Sequence, residues 1–205
     1  HGGTAVDARR LLVEGVVKHP PEYAPGTKYL YSNANFAIAG HMAETMGGAS
    51  WEELMRREVF APLGIAGAGF GAPGRAGERA DQPRGHDAKG TAVEPGPGAD
   101  NPVAIGPAGT VHMSLADWGK FVGPHLCGAR GERVDGADGK PFLGAASWKK
   151  LHAPPGDGYA MGWSVGVRPG WAKGAGEGDT GRVLSHGGSN TMWYCVVWIA
   201  PEKGF

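Results

Sequence analysis

Tyr31 and Asn33 place a phenol and a carboxamide two residues apart, directly behind Pro25-Gly26-Thr27 and the short extended run Lys28–Leu30. From Ala34 to Met46 apolar residues occupy most of the helical circumference, with Ile38, Met42 and Met46 on one row and Phe36, Ala39 and Ala43 on another, as in a buried helix. Ser32 or Asn33 can cap its start, and Gly47-Gly48 ends it. Two polar side chains at the mouth of a rigid helix stand where an active site needs them. The same tripeptide also suits a simple cap with a packed tyrosine. A free phenol is only about 0.1% ionised at pH 7, a deficit of roughly 4 kcal/mol, so Tyr31 can act as a base only with a cation close by.

Three serines compete for the role of nucleophile. Gly162-Trp163-Ser164-Val165-Gly166 fits the Gly-x-Ser-x-Gly pattern, which works only at a sharp strand-to-helix turn. Here it falls inside an alternating strand that runs on to Pro169-Gly170. Ser147-Trp148-Lys149-Lys150 is the one Ser-x-x-Lys of the chain, but its surroundings read as a short surface helix, without the desolvation that would hold a lysine near neutral. The third pattern, His186-Gly187-Gly188-Ser189-Asn190, lies between two strands. There Gly187 and Gly188 would let a ligand approach a strand edge. His1-Gly2-Gly3 matches the same His-x-Gly pattern without that context.

The elements that must position these groups fall into four stretches of a single domain. Residues 1–64 read as a helical part: a helix capped by Asp7 with Leu11, Leu12 and Val16 inward, the helix behind Asn33, and a third opened by the capping box Ser50-Trp51-Glu52-Glu53. Residues 65–113 carry no period and read as an irregular cleft wall. Residues 114–158 hold a helix opened by Ser114-Leu115-Ala116-Asp117, with Leu115, Trp118, Phe121, Val122 and Leu126 inward, and a short helix over Ala145–His152. Residues 159–205 are strands. Tyr159, Met161, Trp163, Val165 and Val167 alternate as one strand, Arg182–His186 is a short strand ending before a hairpin turn, and Thr191–Ile199 reads as a central strand buried on both faces.

Composition removes several classes of function. Twenty Lys and Arg balance twenty Asp and Glu in 205 residues, which gives no electrostatic case for nucleic acid or an anionic membrane surface. No apolar run has the length a bilayer requires. Cys127 and Cys195 lack metal-ligand spacing and read as buried thiols, and the histidines show no paired spacing, so neither metal nor cofactor is expected.

Taken together, Pro25-Gly26-Thr27 to Tyr31-Ser32-Asn33, Pro107-Ala108-Gly109-Thr110 into Ser114-Leu115-Ala116-Asp117, Tyr159-Ala160-Met161-Gly162-Trp163 and His186-Gly187-Gly188 resemble the serine β-lactamase and penicillin-binding-protein-like family. The similarity is to its branch of class C β-lactamases, D,D-peptidases and esterases, with the motifs in the family's order. The resemblance implies an α/β (α+β) fold, an antiparallel sheet flanked by helices plus a helical subdomain. It also implies acyl-enzyme chemistry on a small-molecule ester, amide or peptide, and a periplasmic or secreted setting. Tyr31 would share proton transfer with the lysine of Ser-x-x-Lys, and Asn33 would orient that lysine and hold the substrate amide. His186, Gly187 and Gly188 would form the substrate-binding strand, and the Ser189 N–H would be an oxyanion donor. Two departures follow. No Ser-x-x-Lys precedes Tyr31, so the family's nucleophile helix and a C-terminal strand are expected to be missing from these residues, leaving the segment inactive alone. His186 stands where many members carry lysine, which disfavours carboxylate-bearing lactams. A non-catalytic binding or regulatory module of the same fold is the competing expectation.

Overall fold

The computed structural model describes every residue except His1, Gly2, Glu78, Ala80, Asp157, 173–179 and Thr191. The His1-Gly2 alternative and the first residue of the Thr191–Ile199 run therefore lie outside the described residues. The architecture is mixed α and β with antiparallel sheets, as the resemblance implies. Two compact units divide the chain: one takes the residues up to Ala61, Ala66–Ser114 and Ser189–Tyr194, the other Pro62–Ile65, Leu115–Gly188 and Cys195–Phe205.

In the first unit, α1 spans Ala5–Val16. Its cap is Thr4, whose hydroxyl accepts from the Asp7 N–H while the Asp7 carboxylate accepts from the Thr4 N–H, so Asp7 is the reciprocal partner and not the cap itself. The inward face also differs from expectation. Leu11 is exposed, and Arg9 is the buried residue. Helix α2, Asn33–Gly47, ends at Gly48 with φ 63°, a left-handed cap that glycine adopts without strain. It is not apolar-buried all round: Ala37, Gly40 and Glu44 face inward, whereas Met42 is exposed and Met46 is 88% exposed. Helix α3, Trp51–Leu54, opens with the Ser50/Glu53 capping box and widens into a π-helical stretch over Met55–Phe60.

The irregular stretch is ordered by short pieces. Strands β1 (Gly69–Phe70) and β2 (Val111–His112) pair antiparallel, a 3₁₀ turn covers Val103–Ile105, and α4 is the single turn Gly106–Gly109. Phe70 stacks on Phe60 at 5.9 Å and meets Trp51 edge-on at 5.2 Å, which joins β1 to the third helix and its π-helical extension. A Cβ at Gly40 would stand 2.3 Å from Pro107 Cγ, so only glycine lets α4 lie against α2.

The second unit holds α5 (Leu115–Ala129), α6 (Ala145–Leu151) and a four-stranded antiparallel sheet in the order β3-β4-β5-β6. Those strands are Tyr159–Ala160, Trp163–Val167, Arg182–Ser189 and Tyr194–Ile199. What reads as one strand from Tyr159 is a hairpin. Met161 and Gly162 both have positive φ, 28° and 98°, and pair Ala160 with Trp163. Strand β6 lies at the sheet edge, not in its centre. Val197 and Ile199 join the core, but Tyr194, Val196 and Trp198 are exposed. The outward apolar residues have a use of their own, since Trp198 lies 4.1 Å under the Arg168 guanidinium and 6.0 Å from the Trp171 ring. Cys195 is exposed and Cys127 partly so, against the expectation of buried thiols.

Trp163, Leu184 and Ile199 form the sheet's core with Val122, Leu126, Ala129, Val165 and Val197. Leu115, expected inward, is 88% exposed, and Asp117, His125 and Gly128 are the buried positions of α5. Gly128 is needed for packing: a Cβ there would sit 2.3 Å from the Trp148 ring of α6.

Behind this sheet His125 Nδ1 and His152 Nε2 lie 3.0 Å apart, both buried, so one imidazole donates to the other and neither is charged. His125 is enclosed by Phe121, Trp148 and Trp163. Burial and then the electrostatic cost of a second positive charge beside His152 push its pKa down to about 3; burial and the Arg182 guanidinium, which donates to the His152 carbonyl, push His152 to about 4. Both groups fall below their ordinary 6.5, so the unfolded chain binds more protons than the folded one below that pH. Stability is therefore full above pH 6.5 and declines toward pH 4, by about 1.4 kcal/mol per pH unit for each histidine. Urea unfolding between pH 4 and 7 should show that slope, and His125→Phe should flatten it; an unchanged slope in the variant would contradict the assignment.

Candidate functional site

A turn leads into the first group of candidate residues. Ala24–Thr27 closes through the Thr27 N–H to the Ala24 carbonyl at 3.1 Å, with Pro25 fixing the second position and Gly26, at φ 78°, the third, as a type II turn requires. Lys28 places its ammonium 4.5 Å over the Tyr23 ring. Tyr31 is 50% exposed, with its ring 6.5 Å from that of Phe36 one turn into α2. Ser32 occupies the cap with extended backbone, φ −153°, but its side chain makes no capping bond. Asn33 is the first residue of α2 and exposed, so its amide is presented at the helix mouth.

What holds α2 is a buried ion cluster that hydropathy did not reveal. Arg9 is 0% exposed and donates to Glu44 from Nε and Nη2, to Glu52 from Nη2 at 2.9 and 3.0 Å, and to the Val103 carbonyl from Nη1. Glu44 also accepts from the Trp51 N–H at 3.0 Å, and His41 Nδ1 lies 3.3 Å from its other oxygen. Burial pushes the Glu44 carboxyl up, but the Arg9 and Trp51 hydrogen bonds outweigh it and the net shift is down. One guanidinium thus joins α1, α2, α3 and the 3₁₀ turn.

The second group lies on β5, which does not stop at His186 but runs through Gly187 and Gly188 to Ser189. His186 Nδ1 is 2.6 Å from the Gly162 carbonyl. A carbonyl can only accept, so Nδ1 carries a proton, and Nε2 is the ring nitrogen left to face other partners. Its ring is 6.4 Å from that of Tyr159. Gly187, Gly188 and Ser189 are exposed, and a Cβ at Gly188 would meet nothing within 4 Å. Packing does not require that glycine; it leaves bare backbone at the surface of a strand.

The structure brings Tyr31 to Asn33 at one helix mouth and His186 to Gly188 on one strand. The first pair belongs to the first unit, the second group to the second, and Ser189 is grouped with the first. The rival serines have other settings. Ser164 is paired with Ser185 in mid-strand, and β4 runs on to a 3₁₀ turn at Pro169–Trp171 where an elbow would need a helix directly behind the serine. Ser147 and Lys150 are exposed on α6, whose buried residue is Trp148. Among the described residues no group of three or more His, Cys, Asp or Glu is placed to hold a metal ion, and no helix is long and apolar enough to cross a membrane.

An α+β chain with antiparallel sheets and a Tyr-x-Asn helix mouth is the setting for the comparisons with known proteins. The chain belongs to the beta-lactamase family, whose model matches residues 2–205. It is 29% identical to penicillin-binding protein 4 of Amycolatopsis lactamdurans over 98% of this chain and 52% of that protein, and 34% identical to a beta-lactamase of Pseudomonas fluorescens over 42% of this chain and 24% of that one. Its fold matches a penicillin-binding protein from Bacillus halodurans with a TM-score of 0.67, at 19% identity, over 94% of this chain and 55% of that one. It also matches a class C beta-lactamase from Rhodobacter sphaeroides with a TM-score of 0.62, at 19% identity, over 94% and 57%. The chain thus spans at most about half the length of these curated relatives.

Arg9→Met tests the ion cluster, because it leaves Glu44 buried without its cation. Such a loss costs about 3–5 kcal/mol. Chemical denaturation should show a drop of that size, partly recovered when Glu44→Gln is added; a change below about 1 kcal/mol would mean that the cluster does not hold the helices.

Proposed function

We propose that the protein containing this chain is a serine hydrolase that works through an acyl-enzyme on an ester or a peptide-like amide. The observation that carries the reading is the family match over residues 2–205, together with Tyr31-Ser32-Asn33 at the mouth of α2 and His186-Gly187-Gly188 on an exposed strand. Relatives of similar fold include a D-stereospecific amidohydrolase from Streptomyces and a D-amino acid amidase from Ochrobactrum anthropi, which fits an amide substrate.

In this reading a serine hydroxyl attacks the substrate carbonyl. Its proton passes through Tyr31 to the leaving group, and backbone N–H groups, that of Ser189 among them, hold the oxyanion. Water then frees the acyl group. Asn33 holds the substrate amide, and the backbone of Gly187 and Gly188 flanks the acyl chain. With Nδ1 committed to the Gly162 carbonyl, His186 in its neutral form turns a lone pair toward ligand where a lysine would turn a permanent positive charge. That arrangement favours neutral esters and amides over lactams that carry a carboxylate.

The test uses the full-length parent protein with p-nitrophenyl butyrate and nitrocefin. The reading expects a higher kcat/KM for the ester, and a fall in the acylation rate of about 10²–10⁴-fold in Tyr31→Phe. Strong preference for nitrocefin would overturn the substrate assignment, and an unchanged acylation rate would move proton transfer away from Tyr31.

A further inference from the structure

The turn from β5 to β6 is held from outside itself. Asn190 Nδ2 donates to Asp100 Oδ1 at 2.6 Å, while Asn190 Oδ1 accepts from the N–H groups of Met192, at 3.1 Å, and Trp193, at 2.9 Å. Asp100 Oδ1 also accepts from the Asn101 N–H at 2.7 Å. The Trp193 indole donates to the Ala99 carbonyl at 3.1 Å, and the Met192 carbonyl accepts from the His86 N–H at 3.2 Å. Gly85 lies so close beneath that a Cβ would stand 2.7 Å from the Trp193 indole nitrogen and 3.0 Å from Met192 Cβ. Two separate parts of the irregular stretch, Gly85–His86 and Ala99–Asp100, therefore grip one turn. All of these residues belong to the first unit.

The turn begins at Ser189. From these contacts we infer that Asn190 and Asp100 are a positioning pair for the proposed hydrolysis, fixing the backbone of Ser189 where its N–H meets the developing oxyanion. The inference rests on the serine-hydrolase reading and assigns a task to a stretch that carries no motif. Asn190 is suited to it because one carboxamide both accepts, to close its own turn, and donates, to reach Asp100. An oxyanion donor must be set to within a fraction of an ångström, and a misplacement of about 1 Å can cost about 10²-fold.

The pair permits an exchange. Asn190→Asp alone sets two carboxylates against each other, whereas the double variant Asp100→Asn/Asn190→Asp restores a donor and an acceptor between the two side chains with the direction reversed, giving up only the Asn101 N–H bond to residue 100. In the full-length protein, single-turnover acylation by p-nitrophenyl butyrate should slow about 10–100-fold in N190D. The substrate dissociation constant should stay within about threefold, and the exchanged pair should return the rate to within about threefold of wild type. If N190D does not fold, Asn190→Ala gives the same comparison of acylation against binding. An unchanged acylation rate in a folded single variant, an equal loss of binding and acylation, or an exchanged pair no faster than N190D would overturn the inference while leaving the hydrolase reading in place. A wild type without ester hydrolysis would overturn both.

Discussion

A guanidinium with no access to water sets the first constraint on this chain. Arg9 cannot be deprotonated, and an unpaired buried cation would cost several kcal/mol, so the fold must bring anions and carbonyls to it. Glu44 comes from α2, Glu52 from α3 and the Val103 carbonyl from the 3₁₀ turn, 35, 43 and 94 residues along the chain. Satisfying one side chain therefore fixes the mutual placement of four elements. Glycines complete the fit, since Gly40 admits Pro107 and Gly106 lies under the Arg9 guanidinium. Tyr31 and Asn33 inherit their position from α2, and so from this cluster.

The sheet unit solves its packing differently. Its core is aliphatic and aromatic, and it encloses a neutral histidine pair beside Trp148 and Trp163. Strand β5 carries both kinds of demand. Its first half, with Val183 and Leu184, is buried; its second half, from Gly187 to Ser189, is exposed backbone with little to pack. The turn that follows is held within the first unit, where Asn190 is bound to Asp100.

Local signals were legible in the amino-acid sequence, and long-range ones were not. The Ser50/Glu53 box, the Gly48 stop and the short helix over Ala145–Leu151 follow from neighbours within four residues. The motif order from Tyr31 to Gly188 was enough to indicate the family and the antiparallel α+β fold. Hydropathy failed where burial depends on a distant partner. It assigned Leu11, Met42, Met46 and Leu115 to the interior, and it could not see that Arg9 and Glu44 would be buried together. The Met161-Gly162 hairpin was hidden for another reason: a two-residue turn preserves alternation, so Tyr159 to Val167 keeps its period across two strands. Strand β6 misled because both of its faces are apolar, although only Val197 and Ile199 reach the core. Asn190 stood beside the His-Gly-Gly motif in plain view, but its partner Asp100 lies 90 residues away, inside a stretch with no period.

The central proposal is that the protein containing this chain works through an acyl-enzyme on a serine. Mass spectrometry of the full-length protein after treatment with a fluorophosphonate tests that most directly. The expected result is a single covalent adduct on one serine other than Ser147 and Ser164. An adduct on Ser147 or Ser164, or no adduct anywhere, would contradict it.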